Sequence, residues 1–400
     1  MNEVSASQLS KEVMAATTSL RSDLESLSKA IHADPELAFE ERRASALLCS
    51  WLASHGFEVQ KPVGMLDTAF LGRAGSAKRG PTIAFLAEYD ALPGLGHACG
   101  HNLIAAGAVV AAATCLAARD DLQGEILVIG TPAEEGGGGK VLQLERGVFD
   151  EVDVAMMFHP ADRTLPWRHA RSAAHLRVTF HGRAAHAAKN PEDGVNALAA
   201  MIQLFVAIDG LRQHIPSSAR IHGVIREGGS APNIVPDRTS ADFLVRDARA
   251  EGALALVQRF RSCAQAAALA TGATVEVRET APLYLERKNN HLLATRVMGY
   301  LASFGIPIEE PSPANPAGSS DIGNVSMAIP VIHPYLAVAP RGTPGHSIAF
   351  RDLVCTDDAH EATSAMAASM AQAALDLIDE PSFLSAVREE FATSSPDIGD

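Results

Sequence analysis

Apolar positions along the first 170 residues alternate between short, almost wholly apolar runs and longer stretches with apolar residues every three or four positions. The short runs are typical of strands buried on both faces, and the longer stretches predict helices. The predicted elements are helices over 8–31, 40–55 and 103–118 and strands over 57–63, 69–73, 82–87, 125–130 and 152–158. This alternation predicts an α/β fold with a mostly parallel central sheet.

The pattern changes after residue 170, where strands with one polar face replace the wholly apolar runs. The predicted elements are strands over 174–181, 219–226, 240–246 and 274–279 and helices over 194–212 and 253–271. Two helices on an antiparallel sheet predict an inserted α+β unit, because the βα pattern returns near Asn289. We therefore expect the α/β domain to comprise 1–170 and 285–400, and the insert to comprise 171–284.

Length, charge and cysteine content limit the class of protein. A chain of 400 residues exceeds what one hydrophobic core usually supports, which agrees with two domains. The net charge of -14 argues against nucleic acid as a partner, because phosphate binding needs a basic face. The longest apolar run, 103–118, is too short to span a bilayer comfortably, so no membrane partner is expected. The five cysteines are odd in number and widely spaced, so we expect no disulfide framework and a cytoplasmic location.

Candidate metal chemistry is densest in residues 96–102, which read Gly-His-Ala-Cys-Gly-His-Asn. Cys99 and His101 are two positions apart, so in an extended segment their side chains point to the same side. Thiolate, imidazole and carboxylate ligands together suit zinc, manganese or cobalt better than calcium or magnesium. We therefore predict that Cys99 and His101 are metal ligands and that His97 lies beside the site without binding.

Three later segments carry further metal-binding side chains. Glu134 and Glu135 follow the predicted strand over 125–130, His159 follows the strand over 152–158, and His346 lies between glycine and serine near the end. Parallel sheets bind ligands beyond the carboxyl ends of their strands, where these residues fall. If one of the two glutamates binds metal, the other can act as general base toward a water whose pKa the ion lowers.

Two aspartates can support such a site. Asp90, two residues after Glu88, is expected to orient a ligand imidazole. Asp321, in Gly-Ser-Ser-Asp, can cap a helix or line the site, and we favour the helix N-cap.

These residues resemble the motifs of the M20 metallopeptidases, in the amidohydrolase branch that includes p-aminobenzoyl-glutamate hydrolase and aminoacylase-1-like dipeptidases. The resemblance covers nearly the whole chain. The similar segments are residues 32–37, 96–102, 131–139, 185–187, 228–236 and 318–326. The Cys-Gly-His sequence is specific to this branch, because other members of the family place an aspartate there.

The resemblance implies a metallopeptidase catalytic domain with an inserted lid and dimerisation domain. It implies two divalent metal ions, with the ligands Cys99, His101, Glu135, His159 and His346 and with Glu134 as general base. In the family the lid also forms a homodimer interface, and a histidine matching His186 reaches the active site of the neighbouring subunit to stabilise the oxyanion. Asn233 and Arg246 match lid positions that hold a substrate carboxylate. Asn102 departs from the aspartate found in much of the branch, which removes a charge and puts the number of tightly held ions in doubt.

The expected function is hydrolysis of an amide in a small molecule that carries a free carboxylate, such as an N-acyl amino acid, a dipeptide or a p-aminobenzoyl-glutamate-like conjugate. Three alternatives remain open at this point. They are hydrolytic deamination of an aromatic amine on the same metal site, a subunit active only in a hetero-complex, and a protein in which zinc is structural. The adjacent Glu134 and Glu135 argue against the last, because closed structural sites need no spare carboxylate.

Overall fold

The computed structural model describes residues 9–312 and 318–397. Its helices are α1 (Lys11–Ser19), α2 (Arg21–Ala33), α3 (Arg42–Ser54), α4 (His101–Ala118), α5 (Gly139–Glu145), α6 (Ala197–Arg212), α7 (Ala250–Thr271), α8 (His291–Ala302), α9 (Ile322–Ala328), α10 (Ile348–Leu353), α11 (Asp357–Asp379) and α12 (Pro381–Thr393). Its strands are β1 (Glu58–Gln60), β2 (Phe70–Gly75), β3 (Thr82–Ala87), β4 (Glu125–Gly130), β5 (Val154–Met156), β6 (His159–Ala161), β7 (Ser172–His181), β8 (Arg220–Glu227), β9 (Arg238–Asp247), β10 (Thr274–Glu279), β11 (Val331–Ile332) and β12 (Tyr335–Ala337).

The described residues divide into two compact units. The first contains the chain up to His169 and most of the chain from Arg287 onward, and the second contains Ala170–Glu286 together with Gly318 and Ser319. The boundaries expected from the sequence were 170/171 and 284/285.

The first unit is built on a six-stranded sheet with the strand order β1-β2-β4-β3-β5-β11. The pairs β3–β4, β3–β5 and β5–β11 are parallel, while β2 pairs antiparallel with both β1 and β4. This confirms the predicted mostly parallel sheet. Alternate residues of β3 enter different cores, since Ile83 and Phe85 pack on one face while Ala84 and Leu86 pack on the other. The wholly apolar run of β3 follows from this burial on both faces.

Helix α4 runs through the core of the first unit and packs on α1, α2, α11 and β3. Its small side chains permit close approach, and a Cβ at Gly107 would lie 2.7 Å from the Phe158 ring. Among the described residues, α4 is the one helix long and apolar enough to cross a membrane. Inside the protein, 83% of that span is buried, as is usual for a core helix.

The second unit consists of the antiparallel sheet β10-β7-β9-β8 with α6 and α7 packed on it. This agrees with the α+β insert expected from the sequence. Strand β8 pairs only with β9 and therefore forms an edge of the sheet.

The single helix predicted over 8–31 is wrong, because the structure divides it into α1 and α2 at Leu20. Hydroxyl groups at the end of α1 donate hydrogen bonds to nearby backbone carbonyls, from Thr18 to Met14 at 2.7 Å and from Ser19 to Ala16 at 2.7 Å. Such local bonds offer the backbone an alternative to the regular helical ladder, which favours ending the helix here.

Candidate functional site

The parallel strands of the first unit end at the same edge of the sheet, and polar side chains follow each of them. Glu88 and Asp90 follow β3, Glu134 and Glu135 follow β4, and His159 begins β6 after β5. The topology therefore brings acidic residues and a histidine that are distant in the sequence to the same edge of the sheet.

Gly100 explains the Cys-Gly-His spacing at the start of α4. Its backbone is left-handed (φ 82°), and a Cβ there would lie 2.8 Å from Cγ of Pro160. Glycine avoids both the backbone strain and this clash. The segment of Cys99 and His101 can therefore approach the turn that carries His159.

Five predicted ligands form two overlapping sets of donor atoms that share Cys99. Cys99, His101 and His159 form one set and Cys99, Glu135 and His346 form the other, with the donor atoms of each set within 4.8 Å of one another. Cys99 Sγ lies 3.3 Å from His159 Nε2, and His346 Nε2 lies 3.6 Å from Glu135 Oε1.

The hydrogen bonds of two imidazoles orient their Nε2 atoms toward the cluster. His101 Nδ1 lies 2.9 Å from the Asp90 carbonyl oxygen and 3.1 Å from Asp90 Oδ1, while His159 Nδ1 lies 2.7 Å from the Pro160 carbonyl oxygen. A carbonyl oxygen only accepts hydrogen bonds, so Nδ1 carries the proton in both rings. A neutral ring then keeps a lone pair on Nε2 for a metal. Burial lowers the pKa of His159 to about 4, which favours its neutral form. Burial of His101 acts in the same direction, but Asp90 and Cys99 raise its pKa well above the ordinary value, so a metal at His101 Nε2 would displace a proton.

The carboxylate of Asp90 holds two of the predicted ligand residues. Its Oδ1 accepts from His101, and its Oδ2 accepts from the backbone N–H of Glu135 at 2.9 Å. Burial of Asp90 opposes ionisation, but the nearby His101 ring lowers its pKa overall. Asp90 therefore makes the contact with an imidazole that the sequence led us to expect.

Glu134 and Glu135 lie close to His101, with one oxygen of each 4.0 Å from its Nε2. Burial raises the pKa of Glu134 well above its ordinary value, and the neighbouring Glu88 and Glu135 raise it further. The pKa of Glu135 is also raised by burial, although His101 and His346 oppose the shift.

The donor set fits divalent transition metals on observations of this structure. His101 Nε2 and Glu135 Oε1 are buried, and neither accepts a hydrogen bond from any described residue. Burial raises the pKa of the Cys99 thiol, so binding to a metal would displace its proton. Buried donors without partners beside thiolate and imidazole match the ligand preferences of zinc, cobalt and manganese.

Two residues at the site have left-handed backbones although neither is glycine. They are Ala133 (φ 61°) and His346 (φ 55°), and such conformations persist where the surroundings hold them. The Ala133 N–H donates to Glu41 Oε1 at 2.9 Å, and the His346 N–H donates to the Ala98 carbonyl at 3.0 Å. The fully buried Glu41 therefore supports the turn that carries Glu134.

A buried ion network lies next to Glu134. Lys140 Nζ is 2.5 Å from Glu88 Oε1 and 2.7 Å from Asp321 Oδ1, and all three side chains are at most 1% exposed. Asp321 Oδ2 also accepts from the Lys140 backbone N–H at 2.9 Å. Glu88, Glu134 and Asp321 form another set of clustered carboxylates.

The N-cap interpretation of Asp321 is therefore wrong. Asp321 occupies the N-cap position of α9, but its side chain makes no capping hydrogen bond. Both carboxylate oxygens are engaged by Lys140 instead, Oδ1 by its ammonium and Oδ2 by its backbone N–H, and the bond to the ammonium is the stronger because it is charge-assisted.

Two residues of the 96–102 segment lie outside these ligand sets. His97 is 2% exposed, and neither ring nitrogen has a hydrogen-bond partner among the described residues. Burial lowers the pKa of His97 to about 3, so the ring is neutral. The Asn102 amide donates to Ser28 Oγ at 2.9 Å and to the Val354 carbonyl at 3.0 Å. Asn102 thus joins α4 to α2 and to the segment after α10.

The residues expected to contact substrate through the lid lie in the second unit. His186 and Asn233 are exposed on neighbouring segments, since the Ala187 N–H donates to the Asn233 carbonyl at 3.0 Å. Arg246 is on β9, and its Nη1 donates to Ser319 Oγ at 3.1 Å.

Sequence reasoning missed Glu41, Glu88 and Lys140 as parts of this site. Glu88 carried a signal, because it directly follows the buried strand β3, while Glu134 comes four positions after the end of β4. Lys140 also carried one, as a single charge between a glycine run and an apolar segment. Glu41 lies in a charged stretch that is typical of surfaces and carried none.

Comparisons with known proteins were consistent with one another. The model of the peptidase dimerisation domain of the M20 family matches residues 168–271. The chain is 37% identical over 383 residues to Xaa-Arg dipeptidase of Mus musculus, covering 92% of this chain and 88% of that protein. It is 35% identical over 300 residues to one subunit of the p-aminobenzoyl-glutamate hydrolase of Escherichia coli, covering 68% of this chain and 60% of that subunit. A Bacillus subtilis structure, described as a dinuclear metal binding peptidase from the M20 family, aligns with a TM-score of 0.64 at 22% identity, covering 90% of this chain and 99% of that one.

Proposed function

We propose that this chain, which belongs to the M20 peptidase family and is a peptidase or amidohydrolase, hydrolyses the amide of an N-acyl amino acid, a dipeptide or a similar conjugate with a free carboxylate. One observation carries the proposal. Two sets of metal-binding atoms share Cys99 and lie beside the buried carboxylate of Glu134. A closed structural metal site would not need this additional carboxylate.

We propose that two divalent ions (zinc, manganese or cobalt) are held by Cys99, His101, Glu135, His159 and His346. Cys99 belongs to both sets of donor atoms, so its thiolate would be available to an ion held by either set. Such ions supply Lewis acidity, which polarises a carbonyl and lowers the pKa of water.

The proposed role of Glu134 is to take a proton from the attacking water and to return it to the departing amine. Its burial and its carboxylate neighbours raise its pKa, so it takes up a proton more readily than an exposed glutamate does. Lys140 limits the negative charge around Glu134, because it pairs with both Glu88 and Asp321.

The second unit is proposed to supply substrate contacts and a dimer interface. By resemblance, His186 would stabilise the oxyanion across the interface, while Asn233 and Arg246 would hold the substrate carboxylate. Strand β8 is an exposed sheet edge with Val224 51% exposed, and the adjacent α6 leaves Val206 65% exposed. An apolar surface beside an open strand edge supports self-association.

A homodimer is our first choice of assembly, and a hetero-complex is the alternative, since the Escherichia coli relative is named as a subunit. A cytoplasmic location is also proposed. It is supported by the five cysteines, which are all free of disulfides.

The first test is hydrolysis of a panel of N-acyl amino acids, dipeptides and p-aminobenzoyl-glutamate by chelated protein and by protein resupplied with each metal. Glu134→Gln should keep its bound metal, measured by elemental analysis, but lose hydrolysis. Glu145→Gln, an exposed glutamate on α5, is the matched control and should remain active. Unchanged hydrolysis by Glu134→Gln would contradict the assignment of the base. Failure of well-folded dimers to cleave any panel member with any metal would contradict the proposed substrate class.

A further inference from the structure

Arg287 is a buried cation without an anionic partner in the described part of the chain. It is 2% exposed, and its Nη1 donates to the Tyr335 hydroxyl at 3.2 Å. Its Nε is buried without a hydrogen-bond partner among the described residues. Lys140, which is also a fully buried cation, has two carboxylates within 2.7 Å. Arginine does not lose its proton in proteins, so the charge of Arg287 persists.

Three further groups surround Arg287, and none of them supplies a negative charge. The Arg168 guanidinium lies over the Tyr335 ring at 4.1 Å, and its Nε also lacks a partner among the described residues. His333 is 1% exposed, and both of its ring nitrogens are without partners in the same part of the chain. We name Arg168, Arg287, His333 and Tyr335 the cationic cluster.

The Asp162 carboxylate, which lies near Arg168, is already engaged. Asp162 holds Arg163 through two hydrogen bonds of 3.0 Å and 2.9 Å, whereas Arg168 Nη2 is 3.8 Å from Asp162 Oδ1. Within residues 9–312 and 318–397, the guanidinium groups of Arg168 and Arg287 therefore have one weak carboxylate contact between them, that of Arg168 with Asp162. Buried excess charge of this kind is unfavourable unless an anion compensates for it.

The cluster lies directly beside the predicted metal ligand His159. The His159 ring centroid is 5.5 Å from that of His333 and 5.7 Å from that of Tyr335. Strands β6 and β12, which carry His159 and Tyr335, are paired in parallel register. An anion bound by the cluster would therefore belong to a molecule that also occupies the metal site.

We propose that the cationic cluster binds a carboxylate of the substrate, with Arg287 as its main contact and Arg168 and His333 as additional donors. That the bound molecule is a substrate rests on the hydrolase proposed above. A guanidinium is suited to this role, because its planar fork matches a carboxylate. If Asn233 and Arg246 hold the α-carboxylate of the released amino acid, the cluster binds a second carboxylate on a side chain; otherwise the cluster binds the α-carboxylate itself. A substrate with a cationic group at this position would be repelled.

The binding test uses glutarate, a dicarboxylate that cannot be hydrolysed, with the full-length protein in metal-loaded and chelated forms. Calorimetry should show saturable binding to the wild type in both forms. Arg287→Gln should weaken the binding roughly 10- to 100-fold, and Arg287→Lys should weaken it less. Wild-type affinity in Arg287→Gln, or no saturable binding to the wild type, would overturn the proposal.

A stability measurement separates a ligand-binding role from a purely structural one. Removing a buried charge that has no partner should leave the ligand-free melting temperature of Arg287→Gln unchanged or higher. Glutarate should then raise the melting temperature of the wild type but not that of the variant. Arg296→Gln is the control, because Arg296 is a partly buried arginine that pairs with a carboxylate, Asp376, at 2.8 Å. It should melt lower while keeping the response to glutarate. If Arg287→Gln melts lower and still responds fully to glutarate, the cluster is structural.

Arg168→Gln provides a second variant if Arg287→Gln does not fold, because the Arg168 side chain is 18% exposed. It should bind glutarate more weakly than the wild type. Unchanged affinity in Arg168→Gln and Arg287→Lys together would overturn the proposal.

Kinetics identify which carboxylate is bound. The panel is N-acetylglutamate, N-acetylglutamine and the α-amide of N-acetylglutamate, each compared in the wild type and Arg287→Gln. When the carboxylate that Arg287 binds is replaced by an amide, the wild type and Arg287→Gln should have equal kcat/KM. The substrate for which this happens identifies the bound carboxylate. Loss of glutarate binding in Arg287→Gln without hydrolysis by the wild type would support the anion site and contradict the hydrolase. Hydrolysis with equal kcat/KM in both proteins for every substrate would overturn the anion site alone.

Discussion

Replacement of Lys140 by methionine should strongly destabilise the first unit, because it removes the cation shared by two buried carboxylates. Lys140 Nζ contacts Glu88 and Asp321 at 2.5 Å and 2.7 Å, and the three side chains are at most 1% exposed. At an effective dielectric constant of 20, each contact contributes about 6 kcal/mol of Coulomb attraction. Much of this attraction offsets the cost of removing the charges from water.

The net loss in the free energy of unfolding depends on Glu88 and Asp321, because their carboxylates remain buried without a cation. Removing one partner of a buried ion pair costs about 3–5 kcal/mol, and we expect a loss in this range for Lys140→Met. Asp321→Asn should also destabilise the first unit, because Lys140 then loses one of its two carboxylate partners. The double variant should lose about 2 kcal/mol less than the sum of the two single losses, because the two residues interact directly.

Urea unfolding of chelated protein, followed by tryptophan fluorescence, measures these losses. The chain has two tryptophans, Trp51 and Trp167, and both lie in the first unit, so the signal reports on the unit that contains Lys140. Arg79→Met is the control. Arg79 pairs with Asp121 at 2.7 Å at the surface, and its loss should cost at most about 1 kcal/mol. A loss below about 1 kcal/mol for Lys140→Met, or purely additive effects in the double variant, would refute the reasoning.

Four further predictions concern the metal ligands, the supporting carboxylate and the assembly. Cys99→Ser should bind cobalt more weakly and lack the thiolate-to-cobalt charge-transfer band; retention of the band would exclude Cys99 as a ligand. Burial and the nearby Asp90 raise the pKa of Glu41 to about 7, so the wild type should lose stability relative to Glu41→Gln as pH rises from about 4.5 to about 7. By pH 8 the free energy of unfolding of the wild type should have fallen by about 3 kcal/mol relative to that of Glu41→Gln, measured by urea unfolding of chelated protein. A difference between the two proteins that does not change with pH would contradict this prediction. Val224→Asp should shift the proposed homodimer toward monomer in light scattering, and a dimeric mass unchanged from the wild type would exclude the β8 edge as the interface. Mixing His186→Ala with Glu134→Gln subunits should restore part of the activity, and no recovery after confirmed subunit exchange would argue against catalysis across the dimer.

The elements that carry the predicted ligands could be located from the sequence because their signals are local. Strands β3 and β4 were predicted with the bounds that the structure has, since a strand buried on both faces is almost wholly apolar. The polar residues after these strands were then expected to converge, because parallel strands end at one edge of a sheet. The order of the strands and helices along the chain is sufficient to predict this convergence.

The charged residues that support the site could not be placed in the same way. Lys140 and Asp321 are 181 positions apart, and their contact depends on how α5 and α9 pack. Asp321 was interpreted as a helix cap because its local sequence fits that role equally well. Arg287 gave no signal either, because an arginine in a polar stretch is usually exposed.

The sequence by itself determined the order of strands and helices, the inserted α+β unit and the chemical types of the predicted ligands. These follow from hydrophobic periodicity and from side-chain chemistry, which act over a few residues. The tertiary structure alone decided that Cys99 is shared by two sets of donor atoms, that Lys140 pairs with Glu88 and Asp321, and that Arg287 is buried without an anion among the described residues. The reason is that burial and ion pairing depend on distances between segments far apart in the chain, and those distances are set only when the elements pack together.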